Sequence, residues 1–121
     1  MKNLLVIEDD IIFQKTILEA LKDAGFNVII AENGQDGLKK TKEHKPDLVI
    51  ADIVMPKMNG IEFLKALKQD KEIAEIPVVM LTAYENMAMV NDAIRLGCRG
   101  YLEKTRLTLD DLADKIRNFL E

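Results

Sequence analysis

The sequence predicts an α/β fold: a doubly wound, five-stranded parallel sheet with helices on both faces. Three observations predict it. Strand-length apolar runs and segments of helical periodicity alternate five times along the chain. The third and fourth runs, "PDLVIAD" and "IPVVMLTA", are apolar at nearly every position, as strands covered on both faces are. Acidic and polar residues collect just beyond those runs, and open α/β sheets keep their functional crevice beyond the carboxyl ends of the strands.

Each element has its own signal. "NLLVIE" is the first strand. A helix from about Asp10 to Ala24 carries Phe13, Ile17, Ala20, Leu21 and Ala24 at helical spacing, and Gly25 stops it. "FNVII" is the second strand. Gly34 to His44 reads as a weak helix, with two glycines and Leu38 as its one strong core anchor. After the third strand, "NGIEFLKALKQD" opens on a capping box, Asn59 with Glu62, and turns Ile61, Leu64 and Leu67 inward. Pro56 restricts Met55 to extended backbone, and Gly60 occupies the first helical turn. The fourth helix runs from about Asn86 to Leu96, with Met87, Val90 and Ile94 inward and Gly97 as its stop. "RGYLEK" holds a short fifth strand. "TLDDLADKIRNFL" begins with a second capping pattern, Thr108 and Asp111, and carries Leu109, Leu112, Ala113, Ile116 and Leu120 on one stripe.

Composition narrows the function. With 121 residues the chain suits one domain, 1–121, with a sizeable core. Its net charge of −4, acids and bases interspersed, repels phosphate backbones and argues against direct nucleic-acid binding. No apolar run is long enough for membrane insertion, and "MKNLLVIEDD" meets acids before a signal-peptide core could form. A single cysteine, Cys98, excludes an internal disulfide and a CxxC site. It reads as a small buried hydrophobe, and the cheapest localisation is cytoplasmic. His44, beside Pro46, reads as structural or exposed.

The chemistry lies at the strand ends. Strand one ends in Glu8 and Asp9, strand three in Asp52, strand four in Thr82 and Ala83, and strand five is followed by Lys104. If strands one and three are neighbours, the three acids converge at one rim, with Thr82 and Lys104 opposite. Three close carboxylates cannot all stay ionised without a counter-charge, so their pKa values rise or a cation binds. All-oxygen ligands and few carboxylates suit Mg²⁺ better than a Ca²⁺ cage. A lysine and a threonine hydroxyl across from the acids fit a phosphoryl group held from both sides. Asp10, by contrast, reads as a solvated cap for the first helix.

In order and on the expected elements, "VIEDD", "PDLVIADIVMPKMNG", "PVVMLTAY" and "GCRGYLEK" resemble the receiver domain of bacterial two-component response regulators, over the whole chain. The resemblance implies the flavodoxin-like (βα)5 fold with strand order 2-1-3-4-5. It implies Asp52 as phosphoacceptor, attacking the phosphohistidine of a sensor histidine kinase or phosphotransfer protein. Asp9 and Asp52, with the backbone carbonyl of Val54, would bind Mg²⁺ directly, and Glu8 through a water. Lys104 would pair with the phosphoryl group, Thr82 and the N–H of Ala83 would hydrogen-bond it, and Tyr101 would rotate as Thr82 shifts. Output would go to a partner not named by the sequence, through the fourth helix, fifth strand and fifth helix, made locally basic by Arg95, Arg99, Arg106 and Lys115. Met87 and Met89 lie in the helix on that face. No effector domain is expected after Glu121, and a monomer or a phosphorylation-linked dimer is expected.

One position departs from the family, which usually has Lys-Pro after strand five, often with a cis bond. Here Thr105 follows Lys104. A cis bond costs about 2.5–4 kcal/mol before a non-proline, against about 0.5–1 before proline, so a trans bond and a rearranged loop are expected. Val54 and Tyr84, two residues beyond Asp52 and Thr82, border the route of the hydrolytic water in the family. An apolar and a bulky side chain there predict slow loss of the phosphoryl group. The alternative is a receiver-like interaction module that signals without phosphorylation. A flavin or nucleotide binder would need a Gly- or Ser/Thr-rich phosphate cradle, where this chain has "EDDII". A phosphatase with an aspartate nucleophile would want a second Asp at Val54.

Overall fold

Strands β1 (Asn3–Ile7), β2 (Asn27–Ala31), β3 (Leu48–Asp52), β4 (Val78–Thr82) and β5 (Gly100–Glu103) form one parallel sheet in the order β2-β1-β3-β4-β5. Between and after them run α1 (Ile11–Asp23), α2 (Gly34–His44), α3 (Gly60–Gln69), α4 (Met87–Arg95) and α5 (Leu109–Leu120). The computed structural model describes residues 1–83 and 86–121, and of Met87 only the backbone. The expectations for Tyr84 and for the Met87 side chain lie outside the described residues.

Period-two alternation divides the core into two layers. Leu4 and Val6, Leu48 and Ile50, Val79 and Leu81 face Ile17 and Leu21 of α1 and Leu112 and Ile116 of α5. Leu5 and Ile7, Val49 and Ala51, Val78 and Met80 face Phe63, Leu64 and Leu67 of α3 and Val90 and Ala93 of α4. Both faces of β3 and β4 are therefore sealed, which is why those runs are apolar throughout.

The helix ends follow the local chemistry. The Asp10 carboxylate accepts from the N–H groups of Ile12 and Phe13 at 2.9 and 3.2 Å, so Asp10 is the cap of α1. Asn59 and Glu62 make both halves of the capping box, at 2.9 and 3.1 Å. Thr108 Oγ1 accepts from the Asp111 N–H at 3.2 Å. Cys98 is buried, as expected.

Two inward assignments need correction. Ile94 is 51% exposed, and Ala93 takes its place against the core because α4 is rotated to set Val90 and Ala93 on the sheet. Leu109 is 54% exposed, at the first position of α5, where the helix has not yet closed on the sheet. In α3, Ile61 packs against the core as expected, and Phe63, fully buried, joins it. The weakness of α2 also has a reason. A Cβ at Gly37 would come 2.3 Å from Ile7 Cδ1, so the glycine lets α2 lie close on β1 without a large anchor.

Gly60 does occupy the first turn of α3, but its missing side chain matters more. A Cβ there would lie 2.5 Å from the Asp52 carbonyl oxygen and 2.8 Å from Ile53 Cα, both backbone atoms. The Gly60 N–H donates to the Ile53 carbonyl at 2.8 Å, closing the loop back onto the end of β3. Gly60→Ala is therefore expected to cost about 1–3 kcal/mol in a urea titration, as overpacking against rigid backbone does. Lys115→Ala on the exposed face of α5 should stay within about 0.5 kcal/mol of the parent.

Candidate functional site

Sheet register builds the site. Ile7 stands opposite Ala51, so the next residues along β1 and β3, Glu8 and Asp52, end side by side. The Glu8 N–H donates to the Ala31 carbonyl at 3.0 Å, and the Gln14 carboxamide donates to the Glu8 carbonyl. The Ile53 N–H donates to the Leu81 carbonyl at 3.0 Å, which fixes the chain just after Asp52. Glu8 is fully buried and Asp52 nearly so, whereas Asp9 is exposed. One carboxylate oxygen from each of Glu8, Asp9 and Asp52 lies within 4.8 Å of the others.

Lys104 closes the cluster. Its Nζ donates to Glu8 Oε1 at 2.5 Å and to Asp52 Oδ2 at 2.8 Å. The other Asp52 oxygen, Oδ1, accepts from the Val54 N–H at 3.2 Å, while the Val54 side chain is 49% exposed. The Lys104–Thr105 peptide is trans, as expected, and Lys104–Arg106 form a single 3-10 turn leading towards α5. Thr105 in the place of proline therefore leaves Lys104 aimed at the acids.

On the far side, Thr82 is buried and its hydroxyl donates to the Ala83 carbonyl at 3.0 Å. Tyr101 is 41% exposed on β5. The basic character expected for the surrounding surface is partly spent locally. Arg95 lies 3.6 Å from Asp92, Arg106 lies 3.4 Å from Glu103, and the Arg99 guanidinium donates to the Phe119 carbonyl.

The electrostatics show what the cluster lacks. Burial first, then the neighbouring Asp52 carboxylate, pushes the Glu8 carboxyl up to about 8, against the lowering influence of Lys104. For Lys104, burial works to lower its pKa, but its bonds to Asp52 and Glu8 outweigh it and raise it. Glu8 Oε2 is buried with no hydrogen-bond partner among the described residues. Three carboxylates facing one ammonium, with an orphaned oxygen among them, fit an added hard cation with oxygen ligands.

The comparisons agree with this geometry. A model of the response regulator receiver domain family matches residues 4–117. The chain is 45% identical over 104 residues to a probable transcriptional regulator, ycf29, of Pyropia yezoensis, covering 84% of this chain and 46% of that protein. It thus spans about half the length of the ycf29 relatives it matches. It is 32% identical to the polar-differentiation response regulator DivK of Brucella anthropi, over 98% of this chain and 96% of that one. The structure of the chemotaxis response regulator CheY4 of Vibrio cholerae superposes with a TM-score of 0.90 at 28% identity, over 98% of each chain. The chain belongs to the response regulator receiver domain family, the signal-receiving unit of two-component systems. Receiver domains bind Mg²⁺ at an acidic site, and the cluster of Glu8, Asp9 and Asp52 is of that kind. Among the described residues, no helix is long and apolar enough to cross a membrane.

The convergence of Glu8, Asp9, Asp52 and Lys104 at this rim was expected from the sequence, but two contacts were not. The sequence pairs Lys104 with an incoming group and not with Glu8, and it leaves Phe13 in the core stripe although the ring lies 4.8 Å from Lys104 Nζ. The one available signal was the position of Phe13 in the first turn after the acids.

A pH dependence follows for the metal-free protein. Glu8 binds its proton more tightly folded than unfolded, so its contribution to stability is complete below about pH 4.5 and lost as the pH rises through about 8. In EDTA, urea midpoints should fall between pH 5 and pH 8.5, and Glu8→Gln should flatten that fall. Mg²⁺ added at the higher pH should restore part of the parent's stability.

Proposed function

We propose that this chain is a phosphoryl-accepting switch whose acceptor is Asp52. The observation that carries the reading is the Lys104 ammonium bridging Glu8 and Asp52 beside the exposed Asp9. An acceptor carboxylate needs a cationic partner that can follow the incoming charge, and acids that recruit a metal.

An Asp52 carboxylate oxygen attacks the phosphorus of a phosphohistidine on a sensor histidine kinase or phosphotransfer protein. The O–P bond forms as the P–N bond breaks, and the electron pair returns to the imidazole nitrogen. Glu8, Asp9 and Asp52, with the Val54 carbonyl, would hold Mg²⁺, Glu8 through a water. The ion supplies positive charge that offsets repulsion between the acceptor carboxylate and the phosphoryl oxygens.

Lys104 follows the new charge from the Asp52 carboxylate to a phosphoryl oxygen. The Thr82 hydroxyl exchanges the Ala83 carbonyl for another phosphoryl oxygen, and the Ala83 N–H donates to the same group. Because Thr82 is buried at the end of β4, paired with β5, its shift changes the space near Tyr101, and the surface of α4, β5 and α5 presents the change to a partner. Val54, apolar and half-exposed, offers the hydrolytic water no hydrogen bond, so the acyl phosphate persists.

Mg²⁺-dependent labelling by acetyl phosphate tests this. Asp52→Asn and Asp9→Asn should abolish labelling, Glu8→Gln should weaken it by about 10–100-fold as loss of an outer-shell contact does, and Asp10→Asn should leave it intact. Labelled parent protein should retain the phosphoryl group for minutes. Mg²⁺ binding without any labelling would instead favour a phosphorylation-independent interaction module.

A further inference from the structure

The Lys104 ammonium has a third neighbour outside the acid cluster, on the rim of the core. The Phe13 ring, in the first turn of α1, lies with its centroid 4.8 Å from Nζ. That is within the range where the negative face of an aromatic ring attracts an ammonium. The geometry points to Phe13 as a positioning residue for Lys104, holding the ammonium at the acceptor by its ring face. This inference rests on the reading of Asp52 as phosphoacceptor.

The ring is itself firmly placed. Phe13 packs on the layer that contains Ile17 and Leu112, and with Leu107 these side chains line the groove between α1 and α5. Lys104 is less well anchored at its own backbone. It begins a three-residue 3-10 turn whose N-terminus has no side-chain cap. A long, flexible side chain on a short turn needs an external constraint if its ammonium is to stay in one place.

The kind of constraint suits the chemistry. The bonds to Glu8 Oε1 and Asp52 Oδ2 are directional, and both must change when Asp52 carries a phosphoryl group. A ring face attracts the ammonium without binding any one of its protons. Phe13 can therefore hold Nζ while its hydrogen bonds pass from carboxylate to phosphoryl oxygens. It also covers one side of the ammonium with apolar surface and keeps water from competing for those protons.

The test compares Phe13→Leu, which keeps apolar bulk and removes the ring, with Phe13→Tyr, which keeps the ring. At saturating acetyl phosphate and Mg²⁺, Phe13→Leu should slow labelling of Asp52 by about three- to tenfold, the rate equivalent of a partly buried cation–π contact, and Phe13→Tyr should restore it. In a Lys104→Ala background, Phe13→Leu should have no further effect, which a general packing defect would not reproduce. An independent readout is the NMR signal of the Lys104 ε-methylene protons. The ring face should shift it upfield in the parent and in Phe13→Tyr, and Phe13→Leu should return it to the ordinary lysine position. Equal labelling rates in parent and Phe13→Leu, or equal slowing with and without Lys104, would overturn the inference. If the parent takes up no phosphoryl group, the Asp52 reading fails, and the lysine signal alone then decides whether Phe13 holds Lys104.

Discussion

The structure depends on a repulsion that the fold enforces. Parallel pairing of β1 with β3 sets Glu8 and Asp52 side by side, and Asp9 follows within reach. In water these carboxylates would separate. Here hydrogen bonds fix the backbone at both positions, Glu8 to Ala31 and Ile53 to Leu81, so the charge must be met by protons, by Lys104 or by a cation. The raised Glu8 pKa, the doubly bonded ammonium and the orphaned Glu8 oxygen are three responses to that one constraint.

Much of the remaining architecture keeps the constraint in place. Sealed apolar layers on both sides of β3 and β4 leave the strand ends little freedom. Gly60 lets the loop after Asp52 fold back against the Asp52 carbonyl, and Gly37 lets α2 lie on Ile7. The cap on α1 separates the roles of three adjacent acids. Asp10 is committed to the N–H groups of Ile12 and Phe13, which leaves Glu8 and Asp9 to face Asp52. The same helix start delivers Phe13 to Lys104, so one turn of α1 contributes both to the acids and to their counter-charge.

Most of the fold was legible because its signals are local. Element order, the caps at Asp10, Asn59 and Thr108, and the doubly covered β3 and β4 all follow from periodicity and short-range hydrogen bonding. The errors fell where a helix had more than one apolar face to offer. Ile94 and Leu109 carry suitable side chains, yet the angle at which α4 and α5 meet the sheet leaves both exposed. Phe63 joins Ile61 in the core without having been expected there, since packing volume is a property of the assembled layers and not of the α3 sequence.

The sequence by itself determined the chemistry available at the strand ends: three carboxylates, one lysine and one threonine, each placed by alternating βα units at the same edge of the sheet. Its motifs also determined the family, which the match over residues 4–117 bears out. Only the tertiary structure decided how those groups divide their interactions. Lys104 is far from Glu8, Asp52 and Phe13 along the chain, and its contacts depend on strand register, the path of the 3-10 turn and the seating of α1. Such contacts are set to fractions of an ångström by packing between distant segments, and no local pattern in a sequence encodes a distance of that kind.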